Sequence, residues 1–72
     1  MREKGVIRVF FASRGYGFIE LIGEKDRFFH LRNVKRGLHG GGGVTIPAGA
    51  RVEFRPVDGP RGPAAQDVEV LG

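Results

Sequence analysis

Apolar and polar residues alternate with a period of two in short runs along this chain, and no stretch sustains the three-to-four spacing of an amphipathic helix. "VIRVFF" (6–11) is β-branched and aromatic, and "SRG" supplies a turn after it. "YGFIEL" (16–21) and "RFFHL" (27–31) follow, separated by the glycine and charges of "IGEKD". "RVEFRPV" (51–57) sets Val52 and Phe54 against Arg51, Glu53 and Arg55, and "AQDVEVL" (65–71) sets Val68 and Val70 against Asp67 and Glu69. Between the third and fourth runs, "NVKR" has room for one short helical turn. The four glycines at 40–43 are expected to lack order on their own, because glycine loses the most backbone entropy on folding. A connection of that length is usually functional or mobile. "VDGPRGPA" (57–64) reads as a turn-rich link. Five closely spaced strands in 72 residues predict an all-β fold, a small five-stranded antiparallel barrel. Closure removes the unpaired edges that so short a chain has nothing to cover.

Strand parity assigns the faces. Residues i and i+2 share a side, so Tyr16 and Phe18 face one way and Ile19 and Leu21 the other. On the third strand Phe28 and His30 face one way, Phe29 and Leu31 the other. The aliphatic set, Ile19, Leu21, Phe29 and Leu31, is expected to point inward. Tyr16, Phe18, Phe28 and His30 are then left on an exposed platform beside Lys4, Arg8 and Arg14. Any one of these aromatics taken alone reads as core. Four together, opposite an aliphatic face, read as a binding surface. Unpaired bases stack on such surfaces, each contributing about 1–3 kcal/mol, whereas a duplex hides its base faces.

Composition narrows the partners. Residues 1–36 carry nine Lys and Arg against four Asp and Glu, and residues 37–72 carry three against four, so the net +4 arises in the half that holds the aromatic motif. That balance favours a polyanion. Thirteen glycines and four prolines oppose long helices. With no cysteine there is neither a disulfide nor a thiolate metal site, which fits a reducing compartment. The N-terminus is too charged and its apolar run too short for a signal peptide, and nothing approaches the roughly 20 apolar residues of a membrane span. The expectation is one domain (1–72), cytoplasmic and monomeric, without a membrane partner. No catalytic residue, metal, cofactor or small-molecule substrate is expected. His30 and Asp26 would lie about 13 Å apart on an extended strand, and "GLHGGGGVT" lacks the lysine of a phosphate loop.

"RGYGFI" followed by "FFHL" resembles the pair of nucleic-acid motifs of cold-shock domain proteins, and "GVIRVF", "VTIPAGARVEF" and "GPRGPAAQDVEVL" extend the likeness along the whole chain. The resemblance implies an OB-type barrel that binds single-stranded RNA or DNA and acts as an RNA chaperone. It places Tyr16, Phe18, Phe28 and His30 at stacking positions, Phe10 at a flanking aromatic, and Arg8, Arg14 and Arg61 at basic contacts. The chain departs from the family pattern at Val9, Phe11, Arg27 and Leu31, and in the long loop, where "GGVTI" offers Gly43 and Val44 in place of an aromatic. Val9 stands where the family usually has tryptophan, Leu31 where it has phenylalanine, and Phe11 where asparagine is common, a ring expected to restore part of the lost aromatic surface. Arg27 holds a position that is normally apolar and inward, so its stem must snorkel or the strand end must be open. Losing about two stacking partners at roughly 1–3 kcal/mol each implies tenfold weaker binding or more, or an altered base preference. "RGYGFIEL" also fits most of an RNA-recognition-motif signature, but the helices of that fold are missing. The competing expectation is a cold-shock-type barrel whose altered aromatic face binds a protein.

Overall fold

Short β-branched and aromatic runs broken by turn residues give a chain made almost wholly of strands. The computed structural model describes residues 1–40 and 43–71. Its strands are β1 (Glu3–Phe11), β2 (Tyr16–Glu20), β3 (Arg27–His30), β4 (Val34–Arg36), β5 (Leu38–Gly40), β6 (Gly43–Thr45), β7 (Arg51–Gly59) and β8 (Gly62–Val70), with a 3-10 turn at Leu31–Asn33. Five of them form the barrel in the order β3-β2-β1-β7-β8, each neighbour antiparallel. The ring closes where β3 meets β8 in a parallel pair at Phe28 and Ala64. This is the five-stranded OB-type barrel expected, with a parallel seam. β4 adds to β8, and β5 and β6 form a separate two-stranded ladder. No helix among the described residues is long and apolar enough to cross a membrane.

The five anticipated strands are all present, and the segments between them are more regular than expected. β7 and β8 remain paired through Val57 with Ala64, Asp58 with Pro63 and Gly59 with Gly62, so the link at 57–64 shrinks to a tight turn at Pro60 and Arg61. Gly62, at φ 111°, supplies the turn's left-handed backbone. The helical turn foreseen in "NVKR" lies earlier, at Leu31–Asn33, and Val34–Arg36 is strand. The long connection holds the β5–β6 hairpin. Gly41 and Gly42, the centre of the run expected to lack order, lie outside the described residues.

Ile7, Ile19, Phe29, Val52, Phe54 and Val68 fill the barrel, none more than 1% exposed. Ile46 and Ala50 complete the core from the segment before β7. That segment is tied to β1 by Ile7 N–H donating to Ala50 O (2.9 Å) and Gly49 N–H donating to Ile7 O (2.8 Å). Of the four side chains expected inward, Ile19 and Phe29 are fully buried and Leu21 packs against the core. Leu31 is a correction: it is 44% exposed. The strand stops at His30, whose Nδ1 accepts from Arg32 N–H (3.1 Å) and caps the 3-10 turn, so the alternation never reaches Leu31.

Arg27 resolves its own anomaly at the seam. Its Nη1 donates to the carbonyls of Val57 and Ala64, both at 3.0 Å, linking β3 to the β7–β8 hairpin beside the closing pair. Its Nε is buried without a hydrogen-bond partner. The guanidinium of this partly buried residue thus turns to backbone acceptors.

Candidate nucleic-acid interface

The aromatic face is built by register. β2 and β3 pair Tyr16 with His30 and Phe18 with Phe28, which sets these four side chains on one side of the sheet while Ile19 and Phe29 enter the core. The rings touch: Tyr16 to Phe28 at 5.6 Å between centroids, Phe18 to Phe28 at 6.0 Å, and Tyr16 to Phe18 at 6.2 Å, edge-on. These separations are those of mutually stabilising aromatic pairs. All four side chains remain half-exposed.

A bulge in β1 decides which of its aromatics joins them. Ile7 pairs with Ile19 but Val9 with Phe18, so Arg8 is an extra residue on β1. Parity reverses there. Phe10 turns to the core and stacks on Phe29 at 5.9 Å with the planes 13° apart. Phe11 turns out, 41% exposed, with its ring 5.3 Å from Tyr16. Val9 lies opposite Phe18 on the same outer ladder.

Gly15 and Gly17 serve different purposes. Gly15 sits at φ 74° in the β1–β2 turn, where Gly15 N–H and Arg14 N–H both donate to Phe11 O at 2.8 and 2.9 Å. Gly15 O then accepts from Leu31 N–H (2.8 Å), which fixes the end of β3 against that turn. Gly17 pairs with Phe10 and Phe29 on its two sides, and a Cβ there would lie 2.4 Å from Val9 O. Glycine lets β1 and β2 close on each other beneath the rings.

The cations differ in how free they are. Arg8 Nε donates to Asp26 Oδ2 (2.5 Å) and Nη2 to Oδ1 (3.3 Å), with Glu20 3.5 Å away. The hydrogen bond from Asp26, followed by the charges of Asp26 and Glu20, raises the Arg8 pKa above its already high value. Arg14 and Arg61 are exposed and pair with no carboxylate among the described residues. His30 Nδ1 is an acceptor in the cap, so the neutral ring carries its proton on Nε2. The described residues contain no group of three or more His, Cys, Asp or Glu able to hold a metal.

A model of the 'Cold-shock' DNA-binding domain family matches residues 3–71. The chain belongs to that family. The cold shock protein CspA of Staphylococcus aureus (strain USA300) is 38% identical over 69 residues, covering 96% of this chain and 98% of the relative. The cold shock proteins CspA of Staphylococcus haemolyticus and Staphylococcus saprophyticus match with the same identity and coverage.

Within this cold-shock domain the structure brings Tyr16, Phe18, Phe28 and His30 together as the sequence predicts, and puts Arg8 and Arg14 on or next to β1. Arg61 lies apart, in the β7–β8 turn, on the rim of a groove that Phe28 and His30 also line. Phe10 is separated from the ring cluster by the bulge. Phe11, expected to restore part of the aromatic surface but not named among the binding residues, is part of the cluster. The signal was in the sequence: Val6, Ile7, Val9, Phe10 and Phe11 are apolar in both parities, which no regular half-buried strand accommodates. Arg32, on the same groove, was also missed.

Proposed function

We propose that this protein binds single-stranded RNA or DNA by stacking bases on Phe11, Tyr16, Phe18, Phe28 and His30, with Arg8, Arg14 and Arg61 neutralising phosphates, and that it works as a monomeric RNA chaperone. The contiguous, half-exposed cluster of rings carries this reading. Such a patch is costly to leave in water and offers π-faces that any unpaired base fits. Phe10 supports the platform by locking β1 onto Phe29. Phe11 supplies ring area that Val9 and Leu31 lack. A chaperone needs contacts that tolerate any sequence and release readily, and a stacking surface with reduced aromatic area suits that use.

The test is fluorescence anisotropy of a labelled oligothymidine at low and high salt, with duplex DNA as competitor. Binding should saturate, resist the duplex, and fall with log salt at a slope of about −2, the sum of three phosphate contacts at about −0.7 each. Replacing Phe18 and Phe28 together with alanine should weaken binding at least thirtyfold, about 1 kcal/mol or more per ring. Tight binding by that double variant would refute the platform. Salt-insensitive behaviour would point to a protein partner.

A further inference from the structure

We infer that the barrel carries a second binding surface, away from the rings, that docks a short acidic peptide segment of another protein bearing an aliphatic side chain. A groove of about 480 Å³ is within the roughly 300–1,000 Å³ of ordinary ligand sites. It lies at one end of the β1–β2 ladder, where Val6 pairs with Glu20 on one side and with Arg51 on the other. Phe11 and Tyr16 close the opposite end of that ladder. Leu71, just past the end of β8, donates its N–H to Arg51 O (2.7 Å), so Leu71, Arg51, Val6 and Glu20 form a row across four neighbouring strands. Three strand spacings of about 4.8 Å make that row about 14 Å long, the reach of about four residues of extended chain.

The lining divides into aliphatic surface and a cationic rim. Val6, Ile22 and Leu71 are exposed, Ile22 completely so. Glu24 N–H donates to Leu21 O (3.4 Å) and Gly23 takes the positive φ of 74°, so the turn that displays Ile22 makes no use of its side chain. Aliphatic side chains gathered round a groove and left in water mark a contact site. Lys4 and Arg51 line the same groove, are exposed, and pair with no carboxylate among the described residues. Glu20, the acid beside them, is offset by Arg8 at 3.5 Å, so the rim stays positive. These features select the occupant. No ring lines the groove, so a nucleotide base has nothing to stack on. A second copy is opposed by symmetry, because a two-fold contact sets Lys4 and Arg51 against the same cations. A segment with carboxylates on either side of an aliphatic side chain meets both the rim and the floor.

The probe is an end-capped peptide of one leucine flanked on each side by two glutamates, titrated into the intact isotope-labelled protein and followed by NMR. Backbone amides of Val6, Ile22, Arg51 and Leu71 should shift saturably, and those of Tyr16, Phe18 and Phe28 should not. Serine in place of the leucine should weaken binding about tenfold, the loss of one buried aliphatic side chain. Glutamines in place of the glutamates should weaken it about two- to fivefold and remove its salt dependence. Ile22→Ser should cost about tenfold and Arg51→Gln about two- to fivefold, both with the dispersed spectrum of a folded barrel. Equal binding of all three peptides, binding of none, shifts confined to the ring face, or variants that bind as the parent does would each overturn the docking site. Movement of the same amides with protein concentration alone would also overturn it and assign the surface to a second copy. Added oligothymidine should leave the peptide affinity unchanged, and failure of the protein to bind that oligonucleotide bears on the single-strand reading only.

Discussion

Gly17→Ala tests whether the close approach of β1 and β2 holds the site together. A methyl carbon at Gly17 would lie 2.4 Å from Val9 O, 3.0 Å from Phe10 Cα and 3.0 Å from Phe29 Cε1. Ordinary contact begins near 3.4 Å, so β1 has to retreat by the difference, 1.0 Å, from a strand to which it is hydrogen-bonded. The obstacles are backbone and a fully buried ring, and neither can swing aside as a flexible side chain would. Stretching two ladder hydrogen bonds costs about 1–3 kcal/mol in all, and overpacking the Phe10–Phe29 stack costs about as much again. The expected loss is about 3–5 kcal/mol. A chain of 72 residues has a total stability of only about 4–11 kcal/mol. Gly49→Ala is the control. Its φ of 88° strains alanine, but nothing lies within 4 Å of the added carbon, so the loss should be about 1–2 kcal/mol.

Urea unfolding followed by circular dichroism and by the fluorescence of Tyr16, the only tyrosine in a chain without tryptophan, reads both variants. With a slope near 1 kcal/mol per molar urea, Gly17→Ala should lower the midpoint by about 3–5 M or leave the chain unfolded in buffer, and Gly49→Ala should lower it by about 1–2 M. A Gly17→Ala midpoint no lower than that of Gly49→Ala would show that the β1–β2 ladder absorbs a methyl group with little strain, and the steric account of the motif would be wrong.

Asp26→Asn removes the bidentate partner of Arg8; single-strand binding should tighten, because Arg8 no longer gives up an ion pair to reach phosphate, and an unchanged affinity would mean that the ion pair does not compete. Arg27→Met leaves the carbonyls of Val57 and Ala64 without their shared donor; the loss of two charge-assisted bonds should outweigh relief of the unpaired Nε and cost about 1–3 kcal/mol, read as a lower thermal midpoint. Arg2 bonds Glu53 through Oε1 (2.8 Å) and the main-chain carbonyl (3.1 Å), Asp67 O (2.9 Å) and Glu69 Oε1 (3.2 Å), tying the start of β1 to β7 and β8. Arg2→Ala should therefore cost about 1 kcal/mol, or about 4–8 °C in Tm, and less in high salt; a loss unaffected by salt would exclude an electrostatic origin.

Alternation alone placed Ile19 and Phe29 inside and Tyr16, Phe18, Phe28 and His30 outside, because β2 and β3 are regular where those residues lie. It failed wherever something other than parity set the direction of a side chain. On β1, where alternation assigned no faces, the extra residue at Arg8 turns Phe10 inward and Phe11 outward. The His30 cap ended β3 one residue early and released Leu31 to solvent. Arg27, an oddity in a string of letters, found acceptors on strands about 30 and 37 residues away in sequence. Pairing across such distances has no local signature, so neither the seam nor the groove beside Arg61 could be read from composition or spacing.

The parallel seam also sets an order in time. Every ring of the platform comes from residues 11–30, yet the core beneath them draws on Val52, Phe54, Val68 and Val70, and the ring of strands shuts only when Ala64 reaches Phe28. At about 5–20 residues per second on a ribosome, the 40 residues from His30 to Val70 take about 2–8 s to follow. During that interval the aromatic segment is already made but has no barrel to hold its faces apart. Binding competence therefore arrives as a single late event, with the last strand, and does not grow in proportion to the length of chain synthesised.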